Sequence, residues 1–329
     1  MTGDEDRATW NHPPAARPCV ELLRAYRAAA EPVASHKLRL VPEHTNQDVY
    51  NISRPFVDAG EMVIAGRVER RDEEISEVLF FSRRSDRWVP RPGTRRFPLQ
   101  DPFAVRLEGQ LVFGGVEVET ARGDSRVITN WRTAFYRGSC IADLERFATG
   151  PWGKKDIRLV ALPRRRIGVM TRPMDASRNH AAIGFTTIGR LDDLTIQTVL
   201  GAARLQGQFV DGEWGGVGEV RVLASGVVAA LGHLAWRSSE GQLHYYAATF
   251  AANPLTHATT AWRIIAERRD VPSGPAKRPD LADVMFPGGI RRAAGGRAKL
   301  YVGVSDAEAY WLDIPDPYAR YETLALTPG

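Results

Sequence analysis

The sequence predicts an all-β chain, a five-bladed β-propeller with a short N-terminal helix. Three observations predict it. A glycine recurs six residues after a turn glycine at Gly60 and Gly66, Gly109 and Gly115, and Gly226 and Gly232. Each pair encloses an apolar run rich in strand-forming residues, and two looser copies at 166–172 and 296–303 complete a set of five hairpins. An acid stands ahead of each hairpin: Asp48, Asp101, Asp156, Glu219 and Asp283. Repeats of roughly 50 residues built from short strands and turns are a propeller signature. A large β-sandwich with accidental glycine spacing is the alternative, although its strands need no shared acid at their heads.

In chain order, residues 1–35 are expected to form a polar arm and a short helix, and 36–329 the propeller. Val20, Leu23, Tyr26 and Ala30 recur at helical spacing over 19–31. Residues 37–41 alternate like a strand. The first blade spans about 44–95, with its strand at 62–68 leading into Arg67 and Glu69. In the second, Asp101 precedes Pro102, which is expected to hold it extended at a strand mouth. Arg132 lies in the half-apolar strand that follows. The third blade opens on Lys154, Lys155 and Asp156, turns at 164–166 and returns to Arg172. A helical or irregular insert at 189–205 precedes the fourth, which starts at Glu213 and carries His233 just after its repeat glycine. The fifth runs from about Gly274 through Asp283 to Asp306. The segment 318–326 is expected to pair with the first blade and protect its edge.

Composition narrows the function. Of 329 residues, 43% are hydrophobic, enough for a large core. Forty-four basic against 39 acidic residues is too even a balance for a dedicated nucleic-acid surface. Two cysteines, Cys19 and Cys140, make no disulfide framework and suit a reducing compartment. The N-terminus lacks the apolar run of a signal peptide, and no stretch reaches the ~18 apolar residues of a membrane span. The expectation is a soluble cytoplasmic protein with neither a nucleic-acid nor a membrane partner; the oligomeric state is not legible.

In a propeller the innermost strands surround one axis, so equivalent positions converge at one mouth. The five leading acids would meet Arg67, Glu69, Lys155, Arg172 and His233 there, with Tyr50, Trp131, Trp214 and Tyr246 near in sequence. Carboxylates and cations for hydroxyls, with aromatic faces for the ring, form a carbohydrate-site inventory. No metal-ligand spacing, dinucleotide fingerprint or nucleophile elbow appears, so no metal or cofactor is expected. A glycosidase needs two carboxylates. A phosphorylase needs one acid and cations for phosphate, which the basic residues fit better.

Asp101-Pro102 with its hairpin, Lys155-Asp156, Arg172-Pro173, the run from Asp283 to Gly289 and Ser305-Asp306 together resemble the inverting β-mannoside phosphorylases. Residues 36–318 resemble more closely the protozoan mannosyltransferase/phosphorylases and their bacterial relatives. The resemblance implies a five-bladed propeller that makes or breaks β-1,2-mannosides with phosphate, mannose 1-phosphate or a nucleotide-mannose, without a metal. It implies Asp101 as proton donor acting through a sugar hydroxyl. Asp306 would bind mannose, with Asp48 and Asn51 in the same pocket. Lys155 and Arg172 would face phosphate, and His233 and Arg132 are added to that side. Gln100 and Thr171 depart from the phosphorylases, which carry Glu and His there. The second change removes a possible phosphate ligand. A propeller hydrolase and a non-catalytic sugar-binding propeller are the competing functions.

Overall fold

A computed structural model describes Trp10 and residues 14–29, 31–175 and 180–326. Most of the expected N-terminal arm lies outside the described residues. Helix α1 (Cys19–Ala29) buries Cys19, Leu22 and Leu23 on one face, as its apolar spacing dictates. The rest is mostly strand. β1 (Ala34–Lys37) is followed by a first sheet of β2 (Gln47–Tyr50), β3 (Phe56–Asp58), β4 (Glu61–Arg70), β5 (Ser76–Arg84) and β6 (Arg87–Pro90). The second sheet runs β7 (Gln100–Leu107), β8 (Gln110–Ala121), β9 (Asp124–Gly138) and β10 (Glu145–Thr149) in sequence order. The third contains β11 (Arg158–Leu162) and β12 (Arg166–Thr171). After a separate two-stranded ladder, β13 (Met174–Asp175) and β14 (His180–Ala181), it resumes with β15 (Gly184–Ile188) and β16 (Ala203–Arg204).

The last sheet has eight strands in two antiparallel units. One is β17 (Glu213–Val222), β18 (Val228–Arg237), β19 (Leu243–Ala252) and β20 (Arg263–Ala266). The other is β21 (Asp283–Arg292), β22 (Arg297–Val304) and β23 (Glu308–Pro315), with β1 on its outer edge. A short parallel pairing of His244 with Asp283 and Tyr245 with Val284 joins the units.

The turn glycines behave as their spacing predicts: Gly60, Gly109 and Gly226 close their hairpins at φ of 80°, 77° and 83°. Their looser counterparts turn on Gly295–Gly296 and, without glycine, on Arg164 and Arg165. Between sheets the core is aromatic. Phe80 meets Phe113 at 5.1 Å and Phe97 meets Phe113 at 4.9 Å, uniting the first two sheets.

Two expectations are corrected. Segment 318–326 adds no strand. It forms a 3₁₀ turn that buries Tyr318, Tyr321 and Leu324 against the last sheet. The tie between last and first sheets is made by β1 and the residues after it. Leu38 N–H donates to Ala309 O, then Val41 N–H donates to Trp88 O in the first sheet. Asp101 is likewise not extended. It sits at φ 49°, in a bulge where the β7–β8 register shifts between Gln100 and Phe103. The proline does keep the residue out of right-handed helix, and the bulge supplies the other way out of the ladder.

The leading strands β7, β11, β17 and β21 touch their neighbours in succession, and glycine permits the approach. At Gly288 a Cβ would lie 1.7 Å from Ile52 O, a backbone atom that has no room to retreat. Gly288→Ala is therefore expected to lower the urea midpoint by the equivalent of about 3 kcal/mol or more, beyond an ordinary overpacking cost. Gly93→Ala, at φ 72° with open space around it, should cost only about 1 kcal/mol. Equal costs would remove the steric reading.

Candidate active site

Two buried polar clusters form where the leading strands begin. The first centres on Arg67, in β4 immediately after the repeat glycine. Its guanidinium donates to Glu69 Oε2 from Nη2 at 2.7 Å and Nε at 3.0 Å, and to Ser76 Oγ at 2.9 Å. Nη1 reaches Asp101 Oδ1 at 3.3 Å, and Nη2 reaches Glu74 Oε2 at 3.4 Å. Asn51 Nδ2 donates to the same Asp101 oxygen at 2.9 Å. Asp101 Oδ2 has no hydrogen-bond partner among the described residues. Tyr50 OH donates to Glu69 Oε1 at 2.6 Å. Lys277, from the coil before β21, also pairs with Glu69, and meets Glu74 at 2.9 Å.

Asp306 belongs to this cluster through the fields of Arg67, Asp101, Lys277 and Glu69. It accepts no hydrogen bond from the described residues and keeps part of its surface in solvent. Asn51, Asp101 and Asp306 all hold left-handed backbone, at φ 42°, 49° and 50°. Asn and Asp tolerate that region best, and such strain gathers at working sites.

The second cluster centres on Asp156, also left-handed at φ 58°. Arg172 Nη1 donates to its Oδ2 at 2.7 Å, while Arg172 Nε and the neighbouring Thr171 Oγ1 are buried without partners among the described residues. Lys155 has no hydrogen-bond or ion-pair partner among the described residues. His233 stacks on Tyr245 at 5.1 Å. Arg158 lies over the Phe103 ring at 4.3 Å, donates to Gly218 O at 2.7 Å, and feels both Asp156 and Asp101. It stands between the clusters.

Other sequence-selected residues find local partners instead. Asp48 binds Arg71 at 2.5 Å near the surface. Glu219 follows a bulge at Gly218 and holds Arg54 at 2.5 Å and Ile290 N–H at 2.5 Å. Asp283 pairs with His244 Nδ1 at 2.6 Å, and Arg132 pairs with Glu117 at 2.6 Å. None of these four touches either cluster. Tyr246 faces the core, and its neighbour Tyr245 is the ring at the site. A large apolar cavity of about 830 Å³ lies elsewhere, against α1, with Tyr26 and Trp262 in its wall.

The electrostatics separate the groups by role. Burial raises the Asp156 carboxyl, yet the Arg172 and Lys155 cations outweigh it and hold it at about 2. Burial pushes His233 down to about 3, helped by Arg172 and Lys155 against Asp156, so it is neutral at pH 7. Burial would raise Glu69, but Arg67 and Lys277 keep it below the ordinary carboxylate range. For Asp306 burial wins: with Asp101 and Glu69 beside it, its carboxyl is pushed up to about 6 despite Arg67 and Lys277.

A carboxyl that titrates near 6 when folded and near 3.9 when unfolded keeps its stability contribution below about pH 4 and loses it as pH rises through 6. Asp306→Asn cannot ionise. In urea melts it should gain about 1 to 2 kcal/mol over the wild type at pH 8, the full shift being discounted for partial exposure, and almost nothing at pH 4. A gain independent of pH would contradict this assignment.

The geometry can be set beside known proteins. No curated protein matches the sequence. A mannose phosphorylase from Leishmania mexicana, solved in complex with phosphate ion, is 31% identical with a TM-score of 0.84, covering 94% of this chain and 98% of its own. A GDP-Man-dependent mannosyltransferase from the same organism is 30% identical with a TM-score of 0.83, covering 93% and 97%. The β-1,2-mannobiose phosphorylase of Listeria innocua, at 14% identity and a TM-score of 0.59 over 86% and 94%, shares the fold alone. The chain thus resembles the Leishmania mannosyltransferase and phosphorylase over nearly its whole length. A family model described as "Protein of unknown function (DUF1861)" matches residues 26–320, and the chain belongs to that family.

Proposed function

We propose that this chain is an inverting carbohydrate-active enzyme. It moves mannosyl units between β-1,2-mannosides and phosphate, or from mannose 1-phosphate or a nucleotide-mannose to an acceptor. Its residues 36–329 act as one five-bladed β-propeller catalytic domain. The single observation carrying the reading is the juxtaposition of a carboxylate site with a cationic one across Arg158. Likeness to a mannose phosphorylase and a mannosyltransferase supports it. Five antiparallel units, four of whose leading strands touch in succession, support the propeller.

On this reading mannose sits over Asp101, Asn51 and Asp306. A phosphate oxygen bonds to the anomeric carbon as the bond to the departing sugar oxygen breaks on the opposite face. The departing oxygen takes a proton that starts on Asp101 and passes through a sugar hydroxyl. In synthesis the same proton returns, and Asp101 Oδ2 is the oxygen with no partner to displace among the described residues. Phosphate faces the ammonium of Lys155, the orphaned Nε–H of Arg172 and the neutral ring of His233. A neutral imidazole still offers one N–H, and Thr171 Oγ1 offers a hydroxyl. Among the described residues, three cations, Lys155, Arg158 and Arg172, against the Asp156 carboxylate leave a net positive pocket for a dianion.

Incubation with mannose 1-phosphate and mannose is the primary test. Chain growth reversed by added phosphate is expected, whereas phosphate-independent release of mannose would move the assignment to hydrolysis. A positioned proton donor contributes about 10² to 10⁴ in rate. Asp101→Asn should therefore keep the wild-type fold and mannoside binding while losing turnover by that factor, with less loss on a substrate bearing an activated leaving group. Retained turnover on an ordinary mannoside would remove Asp101 from the role. Lys155→Ala should raise KM for phosphate roughly tenfold to a hundredfold and leave KM for the mannoside nearly unchanged, since one charge-assisted contact is worth about 1.5 to 3 kcal/mol. Equal losses for both ligands would make Lys155 structural.

A further inference from the structure

We infer that Lys277 is a positioning residue: its ammonium occupies Glu69 and Glu74 and so keeps Arg67 available to Asp101. The inference deepens the function proposed above and rests on it. Segment 271–282 has no strand and only a short 3₁₀ turn at Pro279–Leu281, and carries Pro272, Gly274, Pro275 and Pro279. It leaves the last sheet after Arg268 and returns to it at β21, yet it delivers Lys277 to two carboxylates of the first sheet. The Lys277 side chain is 2% exposed. Along the coil from Ser273 to Ala276 no backbone hydrogen bond is made among the described residues, so the segment is fixed at its two ends. Arg268 holds Pro272 O at 2.8 Å, and Lys277 N–H donates to Ser305 O at 2.9 Å, beside Asp306.

The charge balance gives the ammonium its consequence. Glu69 and Glu74 both lie on Arg67, and both also lie on Lys277. Arg67 already spends its shorter bonds on Glu69, at 2.7 and 3.0 Å, and reaches Asp101 only at 3.3 Å. Without Lys277 the whole charge of Glu69 and most of that of Glu74 falls on Arg67, with only Arg278 helping Glu74 from the surface at 2.8 Å. As Arg67 is drawn toward both glutamates its 3.4 Å contact to Glu74 tightens, and the 3.3 Å contact to Asp101 is the one that yields. Asp306 is faced by Arg67, Asp101, Lys277 and Glu69, with Tyr50 and Arg278 further contributors, so it reports the same change. Removing Lys277 moves its titration upward from about 6, because one of the cations opposing its protonation preference is gone.

The test combines an NMR titration of the aspartate and glutamate carboxyls with the pH profile of kcat on a mannoside and phosphate. Lys277→Met is expected to raise the Asp306 midpoint by about one unit, shift the alkaline limb of the profile upward, and lower kcat tenfold or more. KM for phosphate should hold. Lys277→Arg should restore most of kcat. Glu74→Gln removes a competing carboxylate, so it should move the midpoint and the alkaline limb downward. A folded Lys277→Met with midpoint and profile unmoved overturns the inference, as does a loss of kcat uniform across pH that Arg fails to rescue. If Lys277→Met does not fold, Glu74→Gln decides alone: a downward shift supports the inference and no shift overturns it. A wild type without mannosyl transfer would sink the functional reading, while the carboxyl titrations would still judge Lys277.

Discussion

A guanidinium with 4% of its surface exposed, set among Glu69, Glu74 and Asp101, must be neutralised inside the fold or not be buried at all. Arg67 meets that requirement from positions that are far apart in the chain. Glu69, two residues on, shares its face of β4, Glu74 and Ser76 come from the turn into β5, and Asp101 from the next sheet. Desolvating each of these ions costs several kcal/mol, which only good geometry returns. The first sheet, the mouth of the second and the coil before β21 are therefore fixed relative to one another by charge. A shift of any one leaves an uncompensated ion in the interior. That rigidity is what a site needs when a proton donor must be held to within a fraction of an ångström.

The backbone at the same mouths is arranged for this. A residue in extended conformation would keep its side chain in the regular alternation of a strand, either into the core or along the next sheet. Asn51, Asp101, Asp156 and Asp306 instead adopt the left-handed region and turn out of that alternation. Each costs on the order of 1 kcal/mol relative to an unstrained residue, least for Asn and Asp. The residue types at these positions are thus chosen twice, once for the chemistry of a carboxylate or amide and once for the backbone it must tolerate.

This double selection explains how much was legible in the sequence. Turn glycines, most strand alternation and the short helix follow from local rules, and the structure carries them at the expected positions, although the strand expected at 37–41 lies instead at Ala34–Lys37. Arg67 and Glu69 were visible because they follow a repeat glycine by one and three residues. Asp48, Glu219 and Asp283 looked equivalent to Asp101 and Asp156 by position, but each is taken up by a partner, Arg71, Arg54 and His244, and Arg132 is taken up by Glu117. Ion pairing between residues 15 to 165 positions apart leaves no periodic trace. Lys277 was readable only as one of several basic residues near a strand mouth, because coil has no register from which to infer a neighbour. The left-handed turn at Asp101 was hidden by the proline rule, which excludes one conformation without naming the one adopted.

Arg158 links the two clusters electrostatically, where they would otherwise stand as separate groups of ion pairs. It is buried, and burial lowers its proton affinity while Asp156 and Asp101 oppose that effect. A cation influenced by both carboxylates must lie where the strands carrying them come close, and glycine sets that closeness. A Cβ at Gly216 would fall 2.2 Å from Asp156 Oδ2, and one at Gly218 2.8 Å from Pro287 O. At Gly303 it would fall 2.1 Å from Asn51 Oδ1. Gly216 and Gly303 lie in β17 and β22, whereas Asp156 and Asn51, which they admit, stand just before β11 and just after β2. The acidity of Asp156 and the hydrogen bonding of Asp101 therefore depend on residues that carry no functional group, because the missing methyls bring the strand mouths within reach of one another.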